Sequence, residues 1–187
     1  MTAEAVPLAP APEGWTIEDV DALPDTGLRY ELVDGVPRVM PPPRIRHQHA
    51  LRRLTNELEA AAPPDLLVVE GVGVILAPDQ RPIPDLLVLH DTAPDSELYN
   101  VPAEQVLLAA EVVSRSTRSD DRFRKPAQYA QAGIPFYLRV ELDPPHLVAY
   151  RIGADGLYVE CAQAEPGRLF ALTEPFAVSF DPAVLLR

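Results

Sequence analysis

The sequence predicts an α/β domain, a mixed β-sheet flanked by helices, with a strand-rich C-terminal half. Three observations carry that reading. Between Ile45 and Ala62 the apolar residues Ala50, Leu51, Leu54, Leu58 and Ala61 recur at helical spacing, with arginines and glutamates on the opposite face, which defines one main amphipathic helix. Leu107 to Val113 is an apolar run broken only by Glu111, the pattern of a central strand buried on both faces. Beyond Ile134, short apolar segments alternate with turn residues.

Taken in order, Met1 to Pro12 is rich in Ala, Pro and Glu without periodicity and reads as a disordered tail; residues 13–187 form a single domain. Order begins at Trp15. Thr16 followed by Glu18 and Asp19 reads as a helix N-cap with acids in the first turn, and the segment stops near Pro24. Arg29–Val33 and Val36–Met40 flank Asp34-Gly35, a strong hairpin signal, and Pro41 to Pro43 end the second strand. After the main helix, strands are predicted over Leu66–Glu70, Val72–Ala77 and Asp85–Leu89. Asp120–Ala132 is helical with Gly133 as its stop, and Pro126 is tolerable only in a first turn, which places Lys125 at the helix entrance. Strands over Ile134–Leu142, His146–Ile152, Leu157–Ala162 and Phe176–Phe180 complete the chain, with turns at Asp143-Pro144-Pro145 and Gly153 to Gly156.

Composition narrows the function. No apolar run approaches the roughly 20 residues of a membrane span, and the N-terminus lacks the basic-then-apolar layout of a secretory signal, so a cytoplasmic protein is expected. The one cysteine, Cys161, excludes an internal disulfide and a cysteine metal cluster. A net charge of -12 argues against broad attraction to nucleic acid. Its distribution qualifies that: Arg44, Arg46, Arg52 and Arg53 give one segment a local +4, and Arg115, Arg118, Arg122, Arg124 and Lys125 outweigh Asp120 and Asp121 in another. The two segments form either one basic mouth on an acidic body or ordinary solvated helix faces.

Three residues stand out chemically. Lys125 is the only lysine beside fifteen arginines, which suggests a site needing a compact ammonium rather than a planar guanidinium. Glu111 places a carboxylate in an apolar strand, costly unless a cation or donors compensate it. Asp85 follows Pro84 and opens another strand, Leu86–Leu89, that can lie beside Glu111 in one sheet. Two convergent carboxylates make a hard-oxygen site for Mg2+ or Mn2+, and a nearby lysine completes a set suited to phosphodiester hydrolysis. Each piece has a plainer reading. Asp85 can simply start a strand after proline, Glu111 can pair with a buried arginine, and Lys125 can be a solvated helix residue.

The residues Tyr30-Glu-Leu-Val-Asp-Gly35, Pro41 to Pro43, His47-Gln48, Pro84-Asp85, Glu111-Val-Val-Ser114, Ser116-Thr117, Lys125-Pro-Ala-Gln-Tyr-Ala130 and Ala132-Gly-Ile-Pro135 together resemble the Uma-type restriction endonuclease group of the PD-(D/E)XK nuclease superfamily. The likeness runs from about Trp15 to Ile152. It implies a restriction-endonuclease-like fold and a Mg2+- or Mn2+-dependent endonuclease acting on DNA, with Asp85 and Glu111 as metal ligands and the Val112 carbonyl as a third. The lysine usual two places after the second acid is absent, because Val113 stands there; by the resemblance Lys125 takes its role. Glu31 matches an N-terminal acid that reaches the metal through water. His47 matches a position that touches phosphate, with helix capping or packing as the alternative. Arg46, Arg115 and Arg122 are candidate DNA contacts, and Leu138 departs from the aromatic residue usual at its position. Cutting both strands would need two sites and therefore a homodimer. Two other classes fit the same residues: a nuclease fold retained without catalysis for binding nucleic acid or protein, and a scaffold using its C-terminal strands as an edge.

Overall fold

A capping box stands near the start of the described residues: the Thr16 hydroxyl accepts from the Asp19 N–H, and the Asp19 carboxylate takes the Thr16 N–H in return. The resulting short helix, α1 (Ile17–Asp21), buries Ile17 and Val20. The computed structural model describes residues 14–24, 27–90, 99–114 and 117–186, so the predicted tail, Met1 to Pro12, lies outside the described residues. Strands β1 (Tyr30–Val33) and β2 (Val36–Val39) form the expected hairpin, with Asp34 and Gly35 both at positive φ, 50° and 70°. That pair of left-handed residues is the turn that Asp-Gly favours.

Helix α2 (Ile45–Ala61) follows and buries Ala50, Leu54 and Leu58, the predicted stripe. Then come β3 (Leu66–Glu70), β4 (Gly73–Ile75), β5 (Leu86–His90), β6 (Asn100–Pro102) and β7 (Val106–Val112). A five-residue π-helical turn, Asp120–Arg124, leads into α3 (Lys125–Gln131). The cause is Pro126. With no N–H to offer, it interrupts the helical ladder, and the Lys125 N–H reaches back five residues to the Asp120 carbonyl. Lys125 therefore stands at the α-helix entrance, as the proline predicts. Gly133 closes α3 at φ 81°, with the Gly133 and Ile134 N–H groups returning to the Ala130 and Tyr129 carbonyls.

The remaining elements are β8 (Phe136–Leu142), β9 (Pro145–Ile152), β10 (Tyr158–Ala164), β11 (Phe170–Leu172), β12 (Val178–Phe180) and a terminal 3-10 turn, Pro182–Leu186. Six strands make the main sheet in the order β10-β9-β8-β7-β5-β3. Only β7 and β8 run parallel, joined through α3, so the sheet is mixed as expected. β7 sits centrally, which explains its apolar run.

The strand predicted over Val72–Ala77 is shorter than that. Its core, β4, leaves the main sheet to pair in parallel with β6, and a tight turn at Ala77 and Gln80 takes the rest. Two clusters cover the sheet: Ala50, Leu54 and Leu58 pack on Leu86, Val88, Leu108 and Ala110 on one face, and Tyr129, Tyr137 and Ile134 pack on Leu87, Leu89 and Ala109 on the other. Leu138 is fully buried in the first cluster, which accounts for an aliphatic side chain there.

Candidate active site

Strand register creates the site. In the antiparallel pairing of β5 with β7, Leu86 faces Ala110 and Leu87 faces Ala109, so one step further along the same register puts Asp85 opposite Glu111. Directly opposed side chains lie about 5 Å apart at Cβ. The α3 entrance brings Lys125 onto Glu111 of this pair, since α3 is the connection that returns the chain from β7 to β8.

Lys125 is 2% exposed, and its Nζ lies 2.9 Å from Glu111 Oε1, 2.9 Å from Glu31 Oε1 and 4.0 Å from Asp121 Oδ1. One ammonium thus faces three buried carboxylates. Glu31 is further held by the Ile83 N–H at 3.1 Å. Tyr129, fully buried, donates its hydroxyl to Glu111 Oε1 at 2.8 Å, the same oxygen that Lys125 holds. Asp121 takes the Thr117 hydroxyl on Oδ2. Asp121, Lys125 and Tyr129 are spaced four apart, so the helical turn and α3 present them on one face.

The charge balance shows in the acidities. Burial pushes Glu111 well above the ordinary carboxylate range, against the pull of Lys125, and the negative charges of Asp85 and Asp121 push it the same way. Burial likewise raises Asp121 to about 6. Burial works against the Lys125 ammonium, yet Glu111, Glu31 and Asp121 together hold it above its usual range.

Asp85 is arranged differently. Its Oδ2 accepts from the Val112 backbone N–H at 2.8 Å and contacts His47 Nε2 at 3.0 Å, while its side chain remains 24% exposed. Burial lowers the His47 imidazole, but the Asp85 hydrogen bond and charge outweigh it and leave the group above its ordinary value. A symmetry follows from these bonds. Each acid has one oxygen held by two donors, Oδ2 of Asp85 and Oε1 of Glu111, and its other oxygen carries no hydrogen bond among the described residues.

Both acids open onto a cleft of about 1620 Å³, lined also by His47, Ser114, Thr117 and Lys125 and by the arginines Arg29, Arg44, Arg46, Arg52 and Arg118. The two basic segments of the sequence therefore do meet beside Asp85. Not every predicted DNA-binding residue points into that space. Arg46 lines the cleft while its guanidinium bonds the Leu142 carbonyl. Arg122 pairs with Glu141 at 2.8 Å and does not line the cleft; Arg115 lies outside the described residues. Glu31 sits on Lys125, and His47 sits on Asp85. Sequence reasoning passed over Asp121 and Tyr129, although their spacing of four on either side of Lys125 was the available signal.

A mixed sheet with two opposed acids and a lysine from the crossover helix defines a nuclease-like α/β protein. The sequence profile of the Uma2 family, described as "Putative restriction endonuclease", matches residues 17–184, and the chain belongs to that family. A solved structure from Anabaena variabilis, described as a putative nuclease belonging to DUF820, shares the fold with a TM-score of 0.71 at 16% identity, covering 91% of this chain and 97% of that one. No curated protein matches the sequence. No helix among the described residues is long and apolar enough to cross a membrane.

Proposed function

We propose that this protein is a Mg2+- or Mn2+-dependent endonuclease that hydrolyses DNA phosphodiester bonds in the arginine-lined cleft. The observation that carries the reading is the opposition of Asp85 and Glu111 across β5 and β7, with Lys125 on Glu111 and the arginine segments around them. Family membership supports the same class.

The donor set suits a hard divalent cation. Among the described residues no three His, Cys, Asp or Glu side chains form a metal cage. Two carboxylates are sufficient for Mg2+, which binds through one or two of them and keeps several waters. Asp85 and Glu111 would hold the ion, with the Val112 carbonyl as a further oxygen; when bound, it supplies Lewis-acid stabilisation of phosphate charge and a more acidic water.

The chain's own residues do the rest. The Val112 N–H and His47 fix the Asp85 carboxylate. Lys125 and Tyr129 fix Glu111, and the Lys125 charge sits at the cleft wall, where it favours the negative charge that phosphorus oxygens gain in the transition state. Glu31 and Asp121 hold the ammonium in place. Arg44, Arg46, Arg52 and Arg118 give the cleft the positive charge that a phosphate backbone requires, on a chain whose net charge is -12. A homodimer would supply the second site for cutting the other strand.

Incubation of the purified protein with duplex DNA tests this. Cleavage is expected with Mg2+ or Mn2+, abolished by EDTA and lost in Asp85→Ala. Cleavage that persists in EDTA or in Asp85→Ala overturns the mechanism. DNA that is bound but never cut with any divalent ion points instead to a nuclease fold retained for binding.

A further inference from the structure

Glu111 is fixed by two groups of different kinds, an ammonium that also reaches the cleft wall and a phenol that does not line it. The Tyr129 hydroxyl and the Lys125 ammonium converge on Oε1, at 2.8 and 2.9 Å, within a region where both donors are almost wholly buried. A lone ammonium can rotate around a carboxylate and exchange between its oxygens. Two donors arriving from successive turns of one helix cannot both follow such a rotation, so together they hold the carboxyl plane. The Tyr129 ring is itself fully buried. It packs against Tyr137 with centroids 5.8 Å apart, and Tyr137 stacks in turn on Tyr150 and Tyr158 at 6.0 and 5.9 Å. The Tyr158 hydroxyl, away from the acids, donates to the Ile134 carbonyl at 2.8 Å, so the packing of the rings and not this bond is what bears on Tyr129.

We infer that Tyr129 is a positioning residue for the cation site: its hydroxyl, braced by the tyrosine stack, locks Glu111 Oε1 so that Oε2 alone is presented to a divalent ion opposite Asp85. This rests on the metal-dependent reading above. Outer-shell partners of this kind orient a ligand before the ion arrives, and their loss typically weakens metal binding about 10- to 100-fold.

The test uses Mn2+ alone, without DNA, titrated into the full chain and followed by the loss of the free-ion paramagnetic resonance signal. Tyr129→Phe keeps the ring and its packing and removes only the hydroxyl. Tyr158→Phe is the matched control, since it removes a hydroxyl from the same stack whose acceptor is a backbone carbonyl away from the acids. Circular dichroism and thermal melts accompany each variant. The expected result is a Mn2+ Kd raised about tenfold in Tyr129→Phe, with a broadened bound-ion spectrum, and an unchanged Kd in Tyr158→Phe. An unchanged Kd in Tyr129→Phe, or an equal weakening in both variants, overturns the positioning role while leaving the metal site standing. Wild-type protein that takes up no Mn2+ overturns the metal reading itself.

Discussion

Asp85 and Glu111 oppose each other across two strands and both line the cleft, yet one is partly open to solvent and the other almost wholly buried. The Asp85 side chain is 24% exposed and is held by a backbone N–H and a histidine; the Glu111 side chain is 3% exposed and depends on an ammonium and a phenol. Water can compensate the charge on the first. Only protein can compensate the second, so Lys125 neutralises the interior and, under the proposed mechanism, would also serve the chemistry at the cleft, whereas Asp85 would serve the cleft alone. Mutations on the two sides should therefore separate function from stability.

The largest effect is expected at Lys125. Lys125→Met removes the one cation that pairs, among the described residues, with three buried carboxylates, and loss of one partner from such a buried set costs about 3–5 kcal/mol. For a chain of this size that lowers the melting midpoint by roughly 10 °C. Asp85→Ala should abolish cleavage just as completely, while its stability cost stays within about 2 kcal/mol, the scale of two hydrogen bonds at a partly wet site. Thermal melts beside cleavage assays check the contrast; equal destabilisation by both variants would erase the distinction between the two sides.

Next in size is a pH effect confined to the buried side. Asp121 is raised by burial to about 6 from an ordinary value of 3.8. Between those values the folded state holds a proton that the unfolded chain has released, so stability from this group falls as pH rises from about 4 to 6 and is level above that. The change is about 3 kcal/mol across the window. Wild type measured against Asp121→Asn by denaturant titration should lose its relative stability over that pH range and no further at pH 7 to 8.

This pairing also marks where sequence reasoning succeeds. The α2 stripe, the apolar β7 run, the Asp34-Gly35 turn and the Gly133 stop each follow from one local rule, and all four are present in the fold. Asp85, Glu111 and Lys125 were legible as chemistry because each breaks its local pattern: an acid after proline, an acid in an apolar strand, a lysine among arginines. Asp121 and Tyr129 break no pattern. An acid near a helix start and a tyrosine on a helix face are ordinary, and only the tertiary packing sets one beside Lys125 and the other on Glu111. The π-helical turn was hidden for a related reason, since Pro126 announces a boundary without saying whether the turn before it is α or π. The pairing of β4 with β6 depends on two three-residue segments, too short for any periodicity to register.

The smallest effects belong to the open side. Replacing Arg46, Arg52 or Arg118 by glutamine should weaken DNA binding modestly and reduce the slope of log K against log salt by about 0.9 for each phosphate no longer neutralised. Lys125→Met, measured under conditions where it remains folded, should leave that slope nearly unchanged, because its charge already belongs to the buried acids. Arg122→Gln should do the same, its guanidinium being engaged with Glu141. Fluorescence anisotropy over a salt series distinguishes these outcomes.

Calorimetric titration of Mn2+ into wild type, Asp85→Asn and Glu111→Gln tests the central claim, that opposed acids from β5 and β7 hold one divalent ion between them. Saturable uptake by the wild type, strongly weakened in each single variant although both remain folded, is the predicted result. Undiminished uptake in both variants would place any bound ion elsewhere and contradict the account.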